Sequence, residues 1–238
     1  MLSATHTKAS DLLSAWGYRR SREMLVQKKS GRRTLIMERA YLGDRFSWTS
    51  LGYDGLNGTA DFCNKDVPDD RAQMWSLDDW RQGGDYALVI GQVHGDKSLD
   101  GININGWVSR TLKAAVSKYK RVVYRPHPLQ RVRQNPSIPS GVEIDRSETI
   151  DDALSGAICC ITYSSNSGVN AVAAGVPVVS EGKCSMVADI SSRSVLDPLI
   201  MPDRSDWLRR IAYAQWTPEE LRSGEAWRHL RPHAMITK

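Results

Sequence analysis

Two apolar runs in the second half of the chain, Ala87-Leu88-Val89-Ile90 and Ala157-Ile158-Cys159-Cys160-Ile161, lack the polar alternation of a half-exposed strand. Unbroken runs of this kind, set between helical segments, predict an α/β fold with a parallel sheet and helices on both faces. The intervening pattern fits. It gives an amphipathic helix over 107–118, a strand over 121–124, a short helix over 149–155, a small-residue helix over 167–174 ending at Gly175, and a strand over 176–179. A last helix is expected over 206–215, and the segment 218–227 finishes the chain.

The first half is less regular. A short helix is expected over 10–16, capped by Ser10 or Asp11, then strands over 25–27 and 34–37 around a Ser30-Gly31 turn. Residues 42–64, rich in Gly, Asn, Asp and aromatics such as Trp48, Tyr53 and Phe62, show no clean period and read as a long ordered loop of functional type. The acidic stretch 66–81 reads as a linker or surface crossing. The expected organisation is therefore an abbreviated N-terminal α/β part over 1–84 and a larger domain over 85–238.

At 238 residues, 41% hydrophobic and 25% charged, the chain has globular composition. No apolar run approaches the roughly 20 residues of a membrane span, and Asp11 and Trp16 stand where a secretory signal needs an apolar core. A cytoplasmic protein is expected, in the host cytoplasm if the chain is viral. Of four cysteines, Cys159 and Cys160 adjoin on a strand, where neighbouring side chains face opposite ways and cannot share a metal. Without CxxC or Cys/His zinc spacing, reduced structural thiols and no metal are expected.

The net charge of +5 is unevenly spread. Through Arg45 the chain has ten Lys/Arg against four acids, densest at Arg19, Arg20, Arg22, Lys28, Lys29, Arg32 and Arg33. Such a cluster is either a solvated face or a landing site for a polyanion, nucleic acid or anionic glycan.

Both later strands run into compact polar turns. Val122-Val123-Tyr124 leads to Arg125-Pro126-His127-Pro128, and strand 157–161 leads to Thr162-Tyr163-Ser164-Ser165-Asn166-Ser167-Gly168 at the start of a helix. Ligands of parallel sheets collect at the carboxyl ends of the strands, so the two turns are expected to face one site. Hydroxyls and amides at a helix start can hold an anion, or simply cap the helix. Flanking prolines fix the direction of His127, which can donate to a phosphate while Arg125 adds a bidentate contact; the alternative is a satisfied structural histidine. After strand 87–90 comes Gly91-Gln92-Val93-His94-Gly95-Asp96-Lys97-Ser98, either a ligand-approaching loop or an ordinary polar one. Following strand 34–37, Glu38 and Asp44 can serve as general base or as ion-pair partners of Arg39 and Arg45. There is no GxGxxG, P-loop or Asp-x-Asp motif.

These four elements in this order resemble the bacterial capsule polysaccharide Kdo transferase family, over roughly residues 35–182. The matching parts are Glu38 to Arg45, the Gly-Gln-Val of Gly91 to Ser98, the His-Pro turn, and the Ser-Ser turn with its Gly-Val-Pro-Val strand behind. The resemblance implies a GT-B-like architecture of two facing α/β domains and an inverting, metal-independent transfer from a nucleotide sugar, with no cofactor. It implies donor contacts from Gly91, Gln92, Asp96, Ser98, Arg125, His127, Ser164, Ser165, Asn166 and Asn170, and catalytic roles for Glu38 or Asp44 with His127. Two positions depart from the family: Arg39 and Asn170 stand where it has acidic residues. A compact branch is expected, with a phage-encoded origin among the options, and with an acceptor at the basic cluster that is either a hydroxymethylated pyrimidine in DNA or a capsule-type glycan. A catalytically inactive nucleotide-sugar-binding module and a sugar-nucleotide epimerase are the alternatives.

Overall fold

The computed structural model describes residues 11–99, 101–130 and 135–235. Along the chain come β1 (Leu13–Trp16), α1 (Ser21–Lys29), β2 (Thr34–Arg39), β3 (Thr49–Tyr53), β4 (Tyr86–Ile90), α2 (Ile104–Lys118), β5 (Val122–Arg125), β6 (Val142–Ile144), α3 (Ile150–Ser155), β7 (Ala157–Thr162), α4 (Ser167–Ala173), β8 (Val178–Ser180), α5 (Ser205–Ala212), β9 (Gln215–Trp216), α6 (Pro218–Ser223) and α7 (Glu225–Leu230). Two compact units result, Met1–Ala72 with Leu208–Lys238, and Gln73–Trp207.

In the first unit the strand order is β1-β2-β3-β9. The sheet is mixed: β1 lies parallel to β2, whereas β2–β3 and β3–β9 are antiparallel. Three expectations are corrected here. Residues 13–16 form a strand, because Leu13 and Ala15 are buried and alternate with exposed neighbours in the two-residue period of a sheet; the Ser10 cap lies outside the described residues. Residues 25–27 belong to a helix, since Arg, Glu, Met, Leu, Gln and Lys around them are strong helix formers. The expected loop 42–64 contains β3, which pairs along its length with β2 and buries Leu51 and Tyr53.

The chain's last segment joins this unit as well, where the sequence suggested the second. Once β9 has paired with β3, Trp216, Tyr213, Ala226 and Leu230 pack with Leu35, Leu51 and Tyr53 in one apolar cluster. Arg71 anchors the return. Its guanidinium donates to the carbonyls of Ala212 (3.2 Å) and Gln215 (2.8 Å), forms an ion pair with Glu220, and lies 4.3 Å from the Trp216 ring centre.

The second unit is built on five parallel strands in the order β6-β5-β4-β7-β8. Ala87 to Ile90 are all buried, so both faces of the central strand are covered. Strand β6 had no clear sequence signal, being three residues long and partly exposed at the sheet edge. Asn103 caps α2 by accepting from the Gly106 amide, and Thr149 and Asp152 form a reciprocal capping box at α3. The segment 73–84 packs on this unit: the Asp78 and Arg81 amides donate to the carbonyls of Ala173 and Gly175. Gly175 has φ of +68° at the end of α4, and a side chain there would run into the Asp79 carbonyl. All four cysteines are free thiols, and burial pushes that of Cys159 up to about 11. Among the described residues no helix is long and apolar enough to cross a membrane.

The Arg71 anchor predicts a stability effect. Replacing Arg71 by Met leaves Glu220, 17% exposed, without its partner, and should lower the unfolding free energy by about 3 kcal/mol in urea titrations. Burial is the largest single influence and opposes ionisation of Glu220, but the hydrogen bonds from Arg71 and Thr217 and the Arg71 charge together outweigh it and hold the carboxyl below its usual range. A lowered folded-state pKa gives stability that is present at neutral pH and lost on acidification through the glutamate range. The gap between wild type and Arg71→Met should therefore shrink as pH falls.

Candidate functional site

The carboxyl ends of β4, β5 and β7, three adjacent strands, carry Gly91-Gln92, Pro126-His127 and Tyr163-Ser164. From β4 the chain crosses to β5 on one side; from β7 it crosses to β8 on the other. Connections that leave adjacent strands in opposite directions open a crevice at their carboxyl ends, the usual ligand position in such sheets.

A side-chain amide clasps this crevice. The Ser164 N–H donates to Gln92 Oε1 at 2.8 Å, and Gln92 Nε2 donates to Ser164 Oγ at 3.2 Å. Gln92 is 7% and Ser164 5% exposed, so the contact is shielded from water. The Ser164 hydroxyl lies 3.5 Å from the Ser98 carbonyl, and the Ser98 amide donates to Asp96 Oδ1 at 2.8 Å. Gly91, Gln92, Asp96, Ser98 and Ser164 are thereby brought together.

His127 joins them through Gly91. The Gly91 amide donates to the Arg125 carbonyl, and a β-carbon on Gly91 would lie 2.9 Å from the Tyr124 hydroxyl and 3.2 Å from the His127 backbone nitrogen. Only a residue without a side chain lets these turns touch. Partial burial lowers the His127 pKa, with the Asp96 charge acting in the opposite sense, and favours the neutral ring. Its Nδ1 accepts the Leu129 amide at 3.1 Å, which assigns the proton to Nε2 and makes that nitrogen a donor.

Arg125 is placed differently. Its guanidinium forms an ion pair with Asp145 and donates to the Ser147 carbonyl, tying β5 to the segment after β6. In the serine turn, Ser165 Oγ accepts the Ser167 amide and the Ser165 carbonyl accepts the Gly168 amide, which fixes the turn ahead of α4. The Asn166 and Asn170 side chains meet each other at 3.4 Å. Several supporting residues carried no sequence signal. Ser180 Oγ and the Gly182 amide both donate to the Tyr163 carbonyl, and Trp107, its ring edge-on to Tyr163, donates to Glu181 Oε2 at 2.7 Å. Each acts through a tertiary contact across strands, which no local motif reports.

Glu38 and Asp44 both lie in the first unit. Glu38, half-buried near the end of β2, has its Oε1 2.6 Å from where a β-carbon on Gly17 would sit, and Gly17 has φ of +53°. Glu38 borders a narrow crevice with Tyr41, Ser50 and Asn57, and its Oε2 accepts the Arg39 amide at 3.3 Å. Asp44 is exposed and closes a turn, bonded to the Ser47 hydroxyl and the Phe46 amide, which hold its pKa below the usual range. Of the basic cluster, Arg33 is committed to Asp54 and Asp61 at 2.7 Å each, Arg20 pairs with Glu23, and Arg32 pairs with Asp11. Arg19, Arg22, Lys28 and Lys29 are exposed and form no ion pair among the described residues.

Two solved structures are similar to this chain in fold. KpsC of Thermosulfurimonas dismutans, a β-Kdo 2,4-transferase, is 17% identical, with a TM-score of 0.61 over 84% of this chain and 78% of its own. The β-Kdo 2,7-transferase KpsC of the same organism is 19% identical, with a TM-score of 0.56 over 85% of this chain and 75% of its own. The likeness is one of fold. No protein-family model and no curated protein matches the chain.

The amide clasp makes a measurable prediction. Gln92→Leu removes the two Gln92 contacts to Ser164 and leaves a buried amide unsatisfied, which should cost about 1–3 kcal/mol by chemical denaturation. Gln92→Glu, which keeps the acceptor for the Ser164 amide, should cost less.

Proposed function

We propose that this protein is a glycosyltransferase that moves a sugar from a nucleotide sugar to a hydroxyl acceptor. The observation that carries this reading is the convergence of the Gly91-Gln92, His127 and Ser164 turns at the switch point of a parallel sheet, in a fold shared with two proteins described as Kdo transferases. In this reading the neutral His127 donates through Nε2 to the donor phosphate, and Ser165, beside the Ser164 backbone that Gln92 fixes, adds its hydroxyl. Charge that develops on the departing nucleotide is stabilised by such fixed donors without reorganisation. Gln92 and Arg125 act as positioning residues, because their polar atoms are already bonded to the protein. Asn170 contacts the nucleoside. The reaction inverts the anomeric centre and needs no metal in this proposal.

Glu38 is the base we favour. A carboxylate with a lowered pKa is a weaker base, which argues against Asp44. Gly17 supports Glu38 by leaving space for its carboxylate. For the acceptor we favour an anionic glycan held by Arg19, Arg22, Lys28 and Lys29. A hydroxymethylated pyrimidine in duplex DNA calls on more of the cluster, and Arg33 is already bound to two aspartates.

The test is turnover of CMP-, UDP- and GDP-sugars, preceded by a thermal-shift screen of the nucleotides, since a ligand of the native state raises the melting temperature. His127→Ala should lower transfer by roughly 30- to 1,000-fold, the loss of about 2–4 kcal/mol of transition-state stabilisation. Glu38→Gln should lower it by about 100-fold while nucleotide binding persists, and Asp44→Asn should stay near wild type. Nucleotide binding with no turnover of any sugar would leave only the inactive module, and an altered sugar without a transferred product would mark an epimerase. DNA is tested by salt: duplex binding that falls with a log–log slope of about −0.9 per phosphate neutralised would restore it as acceptor.

A further inference from the structure

Helix α1 turns an unusual stripe outward. Ser21, Met24, Leu25 and Lys28 fall at i, i+3, i+4 and i+7, along one side of the helix. An amphipathic helix ordinarily buries such a stripe, yet the buried residue of α1 is Gln27, and Leu25 is 52% exposed. With Tyr18 ahead of the helix and Arg32, Thr34 and Asp54 beyond it, the stripe walls a cavity of about 500 Å³ within the first unit. Small-molecule sites span about 300–1,000 Å³ and combine an apolar lining with a few placed polar groups.

The charge lining this cavity is net positive, with Lys28 and Arg32 against Asp54. Asp54 is satisfied, one oxygen accepting the Thr34 amide at 2.8 Å and the other Arg33 Nε at 2.7 Å. Lys28 pairs with no carboxylate among the described residues, and the partner of Arg32, Asp11, is itself almost fully exposed. An apolar wall under two cations complements a ligand with an apolar body and an anionic head. A cationic ligand would meet repulsion, and a wholly polar one would leave Met24 and Leu25 unused.

We propose that this cavity binds an amphiphilic organic anion, with its apolar body against Met24 and Leu25 and its head on Lys28 and Arg32. A phosphate or carboxylate head meets the same chemistry. The proposal uses neither His127 nor Glu38 and shares only Lys28 with the acceptor surface proposed above.

Isothermal titration of the full chain with octyl phosphate, octanoate, octyl glucoside and inorganic phosphate, below micelle-forming concentrations, tests it. At least one octyl anion should bind one to one, and about tenfold or more tighter than octyl glucoside or inorganic phosphate, the effect of one charge-assisted contact. The tighter of the two anions identifies the head group. Lys28→Ala with Arg32→Ala should remove the preference for the anion over octyl glucoside, and Leu25→Asp should weaken both octyl anions, with unchanged circular dichroism. The proposal is overturned if octyl glucoside binds as tightly as the anions, if inorganic phosphate does, if neither octyl anion binds, or if the folded variants bind like wild type. The turnover assays with His127 and Glu38 variants are read separately, so failure here and failure of the transferase reading are distinguishable.

Discussion

The second unit depends on β4 lying buried between β5 and β7. A strand paired on both edges and covered on both faces cannot shift register without uncovering a continuous apolar run. That rigidity fixes where the chain leaves the sheet. Gly91 and Gln92 emerge between the turns that follow β5 and β7, and the Gln92 amide then bonds the backbone and hydroxyl of Ser164 in a dry environment. Each further site feature follows from this: Gly91 admits the His127 turn, Leu129 sets the imidazole tautomer, and the Tyr163 carbonyl is held by Ser180 and Gly182.

Fold and chemistry are coupled through satisfied polar groups. Residues of one sequence motif divide into those whose polar atoms are used up by the protein and those that keep donors for a ligand. Gln92, Arg125 and Arg33 belong to the first kind, despite the amide or guanidinium that makes them attractive as ligand contacts. His127 belongs to the second, because its Nδ1 is occupied by a backbone amide and its Nε2 is not the atom used. Two carboxylates of similar sequence promise, Glu38 and Asp44, separate by degree: Glu38 accepts one backbone amide, whereas Asp44 uses both oxygens in closing a turn.

The first unit is held by a different device. Its sheet is completed only when the end of the chain supplies β9, and Arg71 locks that return with backbone contacts, an ion pair and a ring. A buried ion pair is weak evidence of net stabilisation, but breaking one is costly because the remaining charge has no solvent.

By itself the sequence determined the parallel core of the second unit and the location of its polar turns. Those strands are continuous apolar runs, and their helices carry local caps such as Thr149 with Asp152, signals contained within a few neighbouring residues. Only the tertiary structure decided the rest. Leu13–Trp16 is a strand because β2 lies beside it, Thr49–Tyr53 is one because β2 and β9 flank it, and the last thirty residues or so join the first unit because Trp216 and Leu230 find their apolar partners there. Short edge strands, a returning C-terminus and the partner chosen by a buried amide are long-range pairings. Their energy comes from contacts between residues far apart in sequence, so no local pattern records them.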